Sequence, residues 1–196
     1  MKTFLVGVTG GLAMNLALTA CSPTLVRLPV AFDQKEAAAL LVPGPNQIIG
    51  TILYQADRGR VLGDPATYVS CAGREVTLVP YTDYAREWAL RYYGKPVTDI
   101  AYRLADRGKS MKFEGEEAFQ AASRKTVCDS KGNFAFSNVA DGDFLVVAEV
   151  QWLGKFQEMT YNFGLSQEDM DVEDGSVVKK ISLRGGAKKV LTGPWP

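Results

Sequence analysis

Over most of this chain apolar and polar residues alternate in short runs closed by glycine, proline or acidic turns, the patterning of β-strands rather than helices. Gln47 to Gln55 is rich in isoleucine, leucine, threonine and tyrosine, and Glu75-Val76-Thr77-Leu78-Val79-Pro80 alternates as a half-buried strand does. Lys125–Cys128 and Asn133–Phe136 flank Asp129-Ser130-Lys131-Gly132, a turn whose glycine suits a positive φ, and together predict a hairpin. Asp141-Gly142-Asp143 supplies a second turn, leading into Phe144–Leu153, the longest apolar run after the first twenty-one residues and expected as a central strand. Lys155–Phe163, Ser176–Leu183 and Lys188–Leu191 complete the set, with Asp57–Gly63 as a turn. Strands at this spacing predict an all-β, antiparallel sandwich.

Two stretches break the alternation. Residues 21–46 mix Pro23, Pro29, Pro43 and Pro45 with one helical run, Asp33 to Leu41, that begins on an N-capping aspartate. A flexible N-terminal tether with a short helix is expected there, and the sandwich is expected to occupy residues 47–193. Within it, residues 81–124 form an insertion. Asp83–Tyr93 places Tyr84, Trp88, Leu90 and Tyr92 on an imperfect apolar face and is stopped by Gly94-Lys95-Pro96, while Glu114–Ser123 predicts a second short helix weakened by Gly115.

The first twenty-one residues set the address. Lys2, the mostly apolar Phe4–Leu18 and the sequence Leu18-Thr19-Ala20-Cys21 match a bacterial lipoprotein signal, so residues 1–20 are expected to be removed and Cys21 acylated. A membrane-spanning helix fits less well, because it needs about 20 strongly apolar residues and this stretch holds Gly7, Thr9, Gly10, Gly11 and Asn15. The other alternative is an ordinary secretory signal with a chance cysteine. Ser22 after Cys21 resembles sorting signals for the outer membrane, facing the periplasm or the surface.

The whole chain has 196 residues, with 22 basic and 22 acidic side chains. One domain is expected, and the charge balance leaves no excess of cations for nucleic acid. If Cys21 carries lipid, Cys71 and Cys128 remain as a pair in an oxidising compartment, where a disulfide is the natural assignment and two separate buried thiols the alternative. A metal site built on the two cysteines would have no histidine to complete it.

Several segments carry a family resemblance. They are Gly50, Cys71-Ala72-Gly73 before Glu75–Pro80, the run Thr126–Phe136, and Val139–Ala148 with its Asp-Gly-Asp turn. Together they resemble carboxypeptidase regulatory-like domains, whose transthyretin-like (prealbumin-like) fold is a β-sandwich. The resemblance covers most of Gln47–Leu153, is interrupted by the insertion, and implies a prealbumin-like sandwich here. The chain is also similar to bacterial envelope lipoproteins of no assigned activity, which share the Cys-Ala-Gly start and the Val-Pro-Tyr-Thr-like strand end.

The chain contains no histidine. Hydroxyisourate hydrolases and intradiol dioxygenases of the same general fold need histidines that have no counterpart here, and Ser–His or Cys–His nucleophile systems fall with them. Asp83, Glu87 and Asp99 stand beside aromatics in the insertion, but nothing in their spacing sets up the carboxylate pair of a glycoside hydrolase, and they read as surface charges. Glu168–Gly175 departs from a calcium loop in its glycine offset and reads as an acidic turn. No metal, cofactor or catalytic residue is therefore expected.

The binding candidates are Tyr84, Trp88, Tyr92 and Tyr93, with Tyr81 and Tyr102 nearby, since rings with polar tips stack on sugars or anchor interfaces. The competing reading has the same rings covering a sheet as core. The expectation is a non-catalytic, membrane-anchored envelope lipoprotein acting as a structural or protein-interaction module. A carbohydrate-binding module and a carboxylate-dependent accessory hydrolase are the alternatives. Its partners would be the membrane, through lipid, and an envelope protein or glycan.

Overall fold

A computed structural model describes residues 24–56, 67–104, 111–156 and 169–195. In chain order its strands are β1 (Thr24–Val26), β2 (Asn46–Thr51), β3 (Leu53–Ala56), β4 (Thr67–Ser70), β5 (Glu75–Pro80), β6 (Ile100–Leu104), β7 (Met111–Phe113), β8 (Arg124–Val127), β9 (Asn133–Val139), β10 (Gly142–Phe156), β11 (Asp169–Leu183) and β12 (Lys188–Leu191). The helices are α1 (Gln34–Leu41), α2 (Asp83–Tyr93) and α3 (Glu116–Ala121). One sheet runs β6-β11-β10-β5-β8 and is antiparallel throughout. The sheet opposite runs β12-β2-β9, with β12 parallel to β2.

Successive side chains of a strand point to opposite faces, which divides the core in two. Phe144, Val146, Ala148, Val150 and Trp152 of β10 point between the sheets, where they meet Ile48, Phe134, Phe136 and Leu183. Leu145, with Val79 of β5 and Val178 of β11, points outward beneath α2 and α3. Both faces of β10 are thus covered from Phe144 to Ala148, and that double burial explains why this part of the strand lacks a polar alternation.

The insertion docks on the outer face as its helical pattern predicts. The Thr82 hydroxyl accepts from the Ala85 amide at 3.1 Å to cap α2, and Gly94 ends the helix in the left-handed region at φ 70°. Tyr84, Ala85, Trp88 and Ala89 form its buried stripe.

The structure departs from the sequence reading at four places. The Asp129–Gly132 turn forms, with Gly132 at φ 79° and its amide donating to the Asp129 carbonyl at 2.9 Å, but the strands around it separate. β8 pairs with β5 and β9 pairs with β2, so the predicted hairpin is a corner between the sheets. Cys128 is bonded there to Cys71, which holds this end of β8 to the turn before β5.

Asp169–Gly175, expected as an acidic turn, is strand paired with β10. The insertion also contributes β6 as an edge strand of the larger sheet. The stretch expected as a tether is packed from β1 onward: β1 pairs with β7, and Phe32 meets Tyr84 and Phe119 edge-on. Cys21 and the signal, the Asp57–Gly63 turn and residues 157–163 lie outside the described residues.

Candidate functional site

The four binding rings named from sequence share one helix, and the structure turns three of them inward. Tyr84, Trp88 and Tyr93 are buried. The Tyr84 hydroxyl donates to the Glu114 carbonyl at 2.7 Å, and burial, reinforced by the Glu116 and Glu114 carboxylates, pushes its pKa up to about 12. Tyr93 shares a 2.7 Å hydrogen bond with the Ser176 hydroxyl, and burial raises its pKa as well. Tyr92 is half-buried, with Trp88 stacked on it at 5.1 Å and 12°, and the Arg103 guanidinium over its ring at 4.7 Å. These rings therefore form core rather than an open, coplanar sugar platform.

A different surface opens at the end of the same helix. α2 has 11 residues and rises about 16 Å, while β10 has 15 residues in extended backbone, so the helix covers only part of the β10–β11 ribbon. Next to Tyr93 the outer face of the ribbon carries a patch of four polar residues. Glu149 lies opposite Ser176 and Gln151 opposite Asp174, and Arg74 and Tyr92 flank them around a groove of about 410 Å³. The Gln151 amide donates to the Asp174 carboxylate at 2.8 Å. The side chains of Arg74 and Glu149 have no hydrogen-bond or ion-pair partner among the described residues.

Local structure fixes this shelf. The Arg74 amide donates to the Cys71 carbonyl at 2.7 Å, and its carbonyl accepts from the Cys128 amide at 3.0 Å, so the disulfide sets where Arg74 stands. Of the shelf residues, only Tyr92 is a binding candidate on sequence grounds. The missed signal is the alternation itself: polar Glu149 and Gln151 interleave with buried Val150 and Trp152 where the apolar run loses its second cover.

A second open groove, of about 490 Å³, lies over Ile49, Ala135 and Val190 on the smaller sheet. Three of its polar side chains, Thr51, Asn133 and Asp129, already engage one another. The Thr51 hydroxyl donates to Asn133 at 2.7 Å, and Asp129 accepts from the Lys131 amide and from the Asn133 backbone and side chain. Those bonds, led by the Asn133 side chain, hold the Asp129 carboxyl below its usual range.

The insertion carboxylates are also engaged. Asp83 and Glu87 both pair with Arg86, and Asp99 with Lys179 at 3.3 Å. Asp143 is held below its usual range by the Ser182 hydroxyl, with Arg184 and Lys180 adding to the effect. Among the described residues no group of three or more acidic or cysteine side chains is placed to hold a metal, and no helix is long and apolar enough to cross a membrane.

No protein-family model matches the chain, and no curated protein matches it. Among solved structures it is similar to a proposed carbohydrate-binding protein from Pseudomonas aeruginosa, with a TM-score of 0.58 and 20% identity over 85% of this chain and 99% of that one. At that identity the likeness shows a common fold.

Proposed function

We propose that this protein is a non-catalytic, lipid-anchored binding module of the bacterial cell envelope, and that the ligand it takes is a glycan. The observation that carries the ligand class is the polar shelf beside α2, where the Arg74 and Glu149 side chains, without a partner among the described residues, stand with Gln151, Asp174, Ser176 and Tyr92 around one groove. Sugar hydroxyls both donate and accept, and a mixed set of carboxylate, amide, guanidinium and hydroxyl groups meets both needs. The Pseudomonas protein that shares the fold is itself proposed to bind carbohydrate, which supports the same class.

The resemblance to carboxypeptidase regulatory-like domains supports a sandwich used for binding, and Leu18–Cys21 supports the lipid anchor. The chain has no histidine, and among the described residues the clearly shifted carboxyls, Asp129 and Asp143, are lowered rather than raised, which favours binding over acid–base hydrolysis. Retardation of the full chain in native gels containing soluble polysaccharide tests the glycan class, and unchanged mobility across several neutral polysaccharides would contradict it. Metabolic labelling with an alkyne fatty acid tests the anchor: wild type should be labelled and Cys21→Ala should not.

A second reading is supported by the edge strand β6. Tyr102 and Leu104 are each 45% exposed on this terminal strand of the larger sheet, an arrangement that suits a protein partner adding a strand. Pull-down with charged substitutions at both positions separates that role from the glycan one.

A further inference from the structure

We infer that the shelf on β10 and β11 is a subsite for one neutral pyranose of a glycan, an inference that rests on the glycan reading above. Residues two apart on a strand are separated by about 6.8 Å, and facing residues of paired strands by roughly 5 Å. Glu149, Gln151, Asp174 and Ser176 therefore mark the corners of a rectangle of roughly 5 by 7 Å, the footprint of a single sugar ring with its hydroxyls. Arg74 stands on the β5 side of that rectangle and Tyr92 at the end of α2, so donors and acceptors converge from three elements.

The charge pattern selects the sugar. The guanidiniums of Arg74, in the lining, and of Arg103, over the Tyr92 ring, balance the carboxylates of Glu149 and Asp174, so the groove offers no excess cation to hold uronate, sialate or phosphorylated rings and suits a neutral one. Carboxylates only accept and a guanidinium only donates, and each can engage two adjacent hydroxyls at once. Glu149 and Arg74 hold no side-chain partner among the described residues, so contacts to a ligand there break no bond among those residues. Gln151 and Asp174 hold one another at 2.8 Å and are already oriented. The groove volume, about 410 Å³, falls within the range of small-molecule sites, about 300 to 1,000 Å³. With Trp88 and Arg103 already on the Tyr92 ring, recognition runs through hydrogen bonds rather than stacking.

The test is calorimetric titration of the full chain in detergent with maltotriose, cellotriose and chitotriose, repeated for Glu149→Gln, Arg74→Gln and, as a control outside the groove, Asp83→Asn. Glu149 is exposed and has no side-chain partner among the described residues, so its variant should melt with wild type, which a thermal scan checks. At least one trisaccharide should bind wild type, with about tenfold weaker binding for each groove variant and no change for Asp83→Asn. Binding that survives both groove substitutions overturns the shelf and leaves the glycan reading standing. No heat with any of the three overturns the neutral-pyranose subsite, and the polysaccharide gels then decide separately whether the glycan reading survives.

Discussion

Asn46 is the polar residue on which the two sheets depend, and replacing it gives the sharpest test of the packing. Its side chain is fully buried at the start of β2. The amide nitrogen donates to the Val139 carbonyl at 3.0 Å and to the Asp141 carboxylate at 2.8 Å, and the amide oxygen accepts from the Ala187 backbone at 2.7 Å. One side chain thereby joins β2 to the β9–β10 and β11–β12 connections.

Asn46→Ala strands the Val139 carbonyl and the Ala187 amide, while the exposed Asp141 regains water. At about 1–3 kcal/mol for each buried group left unmade, with Ala187 only half-buried, the loss should be about 3–4 kcal/mol. For a urea slope near 2 kcal/mol/M the midpoint falls by about 2 M. Asn46→Asp keeps the acceptor for Ala187 but faces a carboxylate against the Val139 carbonyl and Asp141. The folded-state pKa of that new acid is raised, so its destabilisation is absent below the unfolded value, about 3.9, and grows as pH rises above it. Urea unfolding of the oxidised full chain at pH 3.5 and pH 7 reads both variants. A loss below about 1 kcal/mol for Asn46→Ala, or Asn46→Asp matching wild type at pH 7, would refute the reasoning.

Three further outcomes follow from the same structure. Opening the Cys71–Cys128 bond, which spans 57 residues, in a Cys71→Ala/Cys128→Ala chain should cost about 4 kcal/mol and lower the calorimetric Tm by about 8–16 °C; a negligible shift would contradict the loop account. Gly175→Ala places a Cβ 3.2 Å from both the Arg103 carbonyl and the Trp152 ring, so chemical denaturation should show a loss of about 1–3 kcal/mol, and neutrality would show that the indole yields. Asp143 has a lowered folded pKa, so its contribution is present above the ordinary carboxylate range and fades as pH falls through the lowered value. Asp143→Asn should therefore be less stable at neutral pH and flatten the acid limb of a stability–pH curve, and an unchanged limb would contradict this.

The sequence was informative wherever local chemistry decides. Glu75–Pro80, Lys188–Leu191 and Asp83–Tyr93 occupy the bounds their periodicity predicts, because alternation, a capping threonine and a terminating glycine act within a few residues. Long-range partnership was not legible. The Asp129–Gly132 turn is local, whereas which sheet each flanking strand joins depends on Cys71 and β5, more than forty residues earlier. The acidic residues of Asp169–Gly175 concealed a strand because β10, not their own sequence, pairs with them.

The site divides along the same line. The aromatic residues of α2 looked suited to binding, but the same helical spacing that groups rings also builds a docking face, and here it packs on Leu145 and Val178. The polar shelf arises where a helix ends over a longer ribbon, a geometric fact that no motif announces.

The central claim is that the shelf meets a glycan in the cell envelope. A photo-reactive residue at Gln151, in the groove and clear of the buried rings, captures in intact cells whatever lies against it. Carbohydrate on the crosslinked species, removed by glycosidase and lost when Glu149→Gln is added, is the predicted result. Capture of a discrete protein with no carbohydrate at this position would contradict the claim.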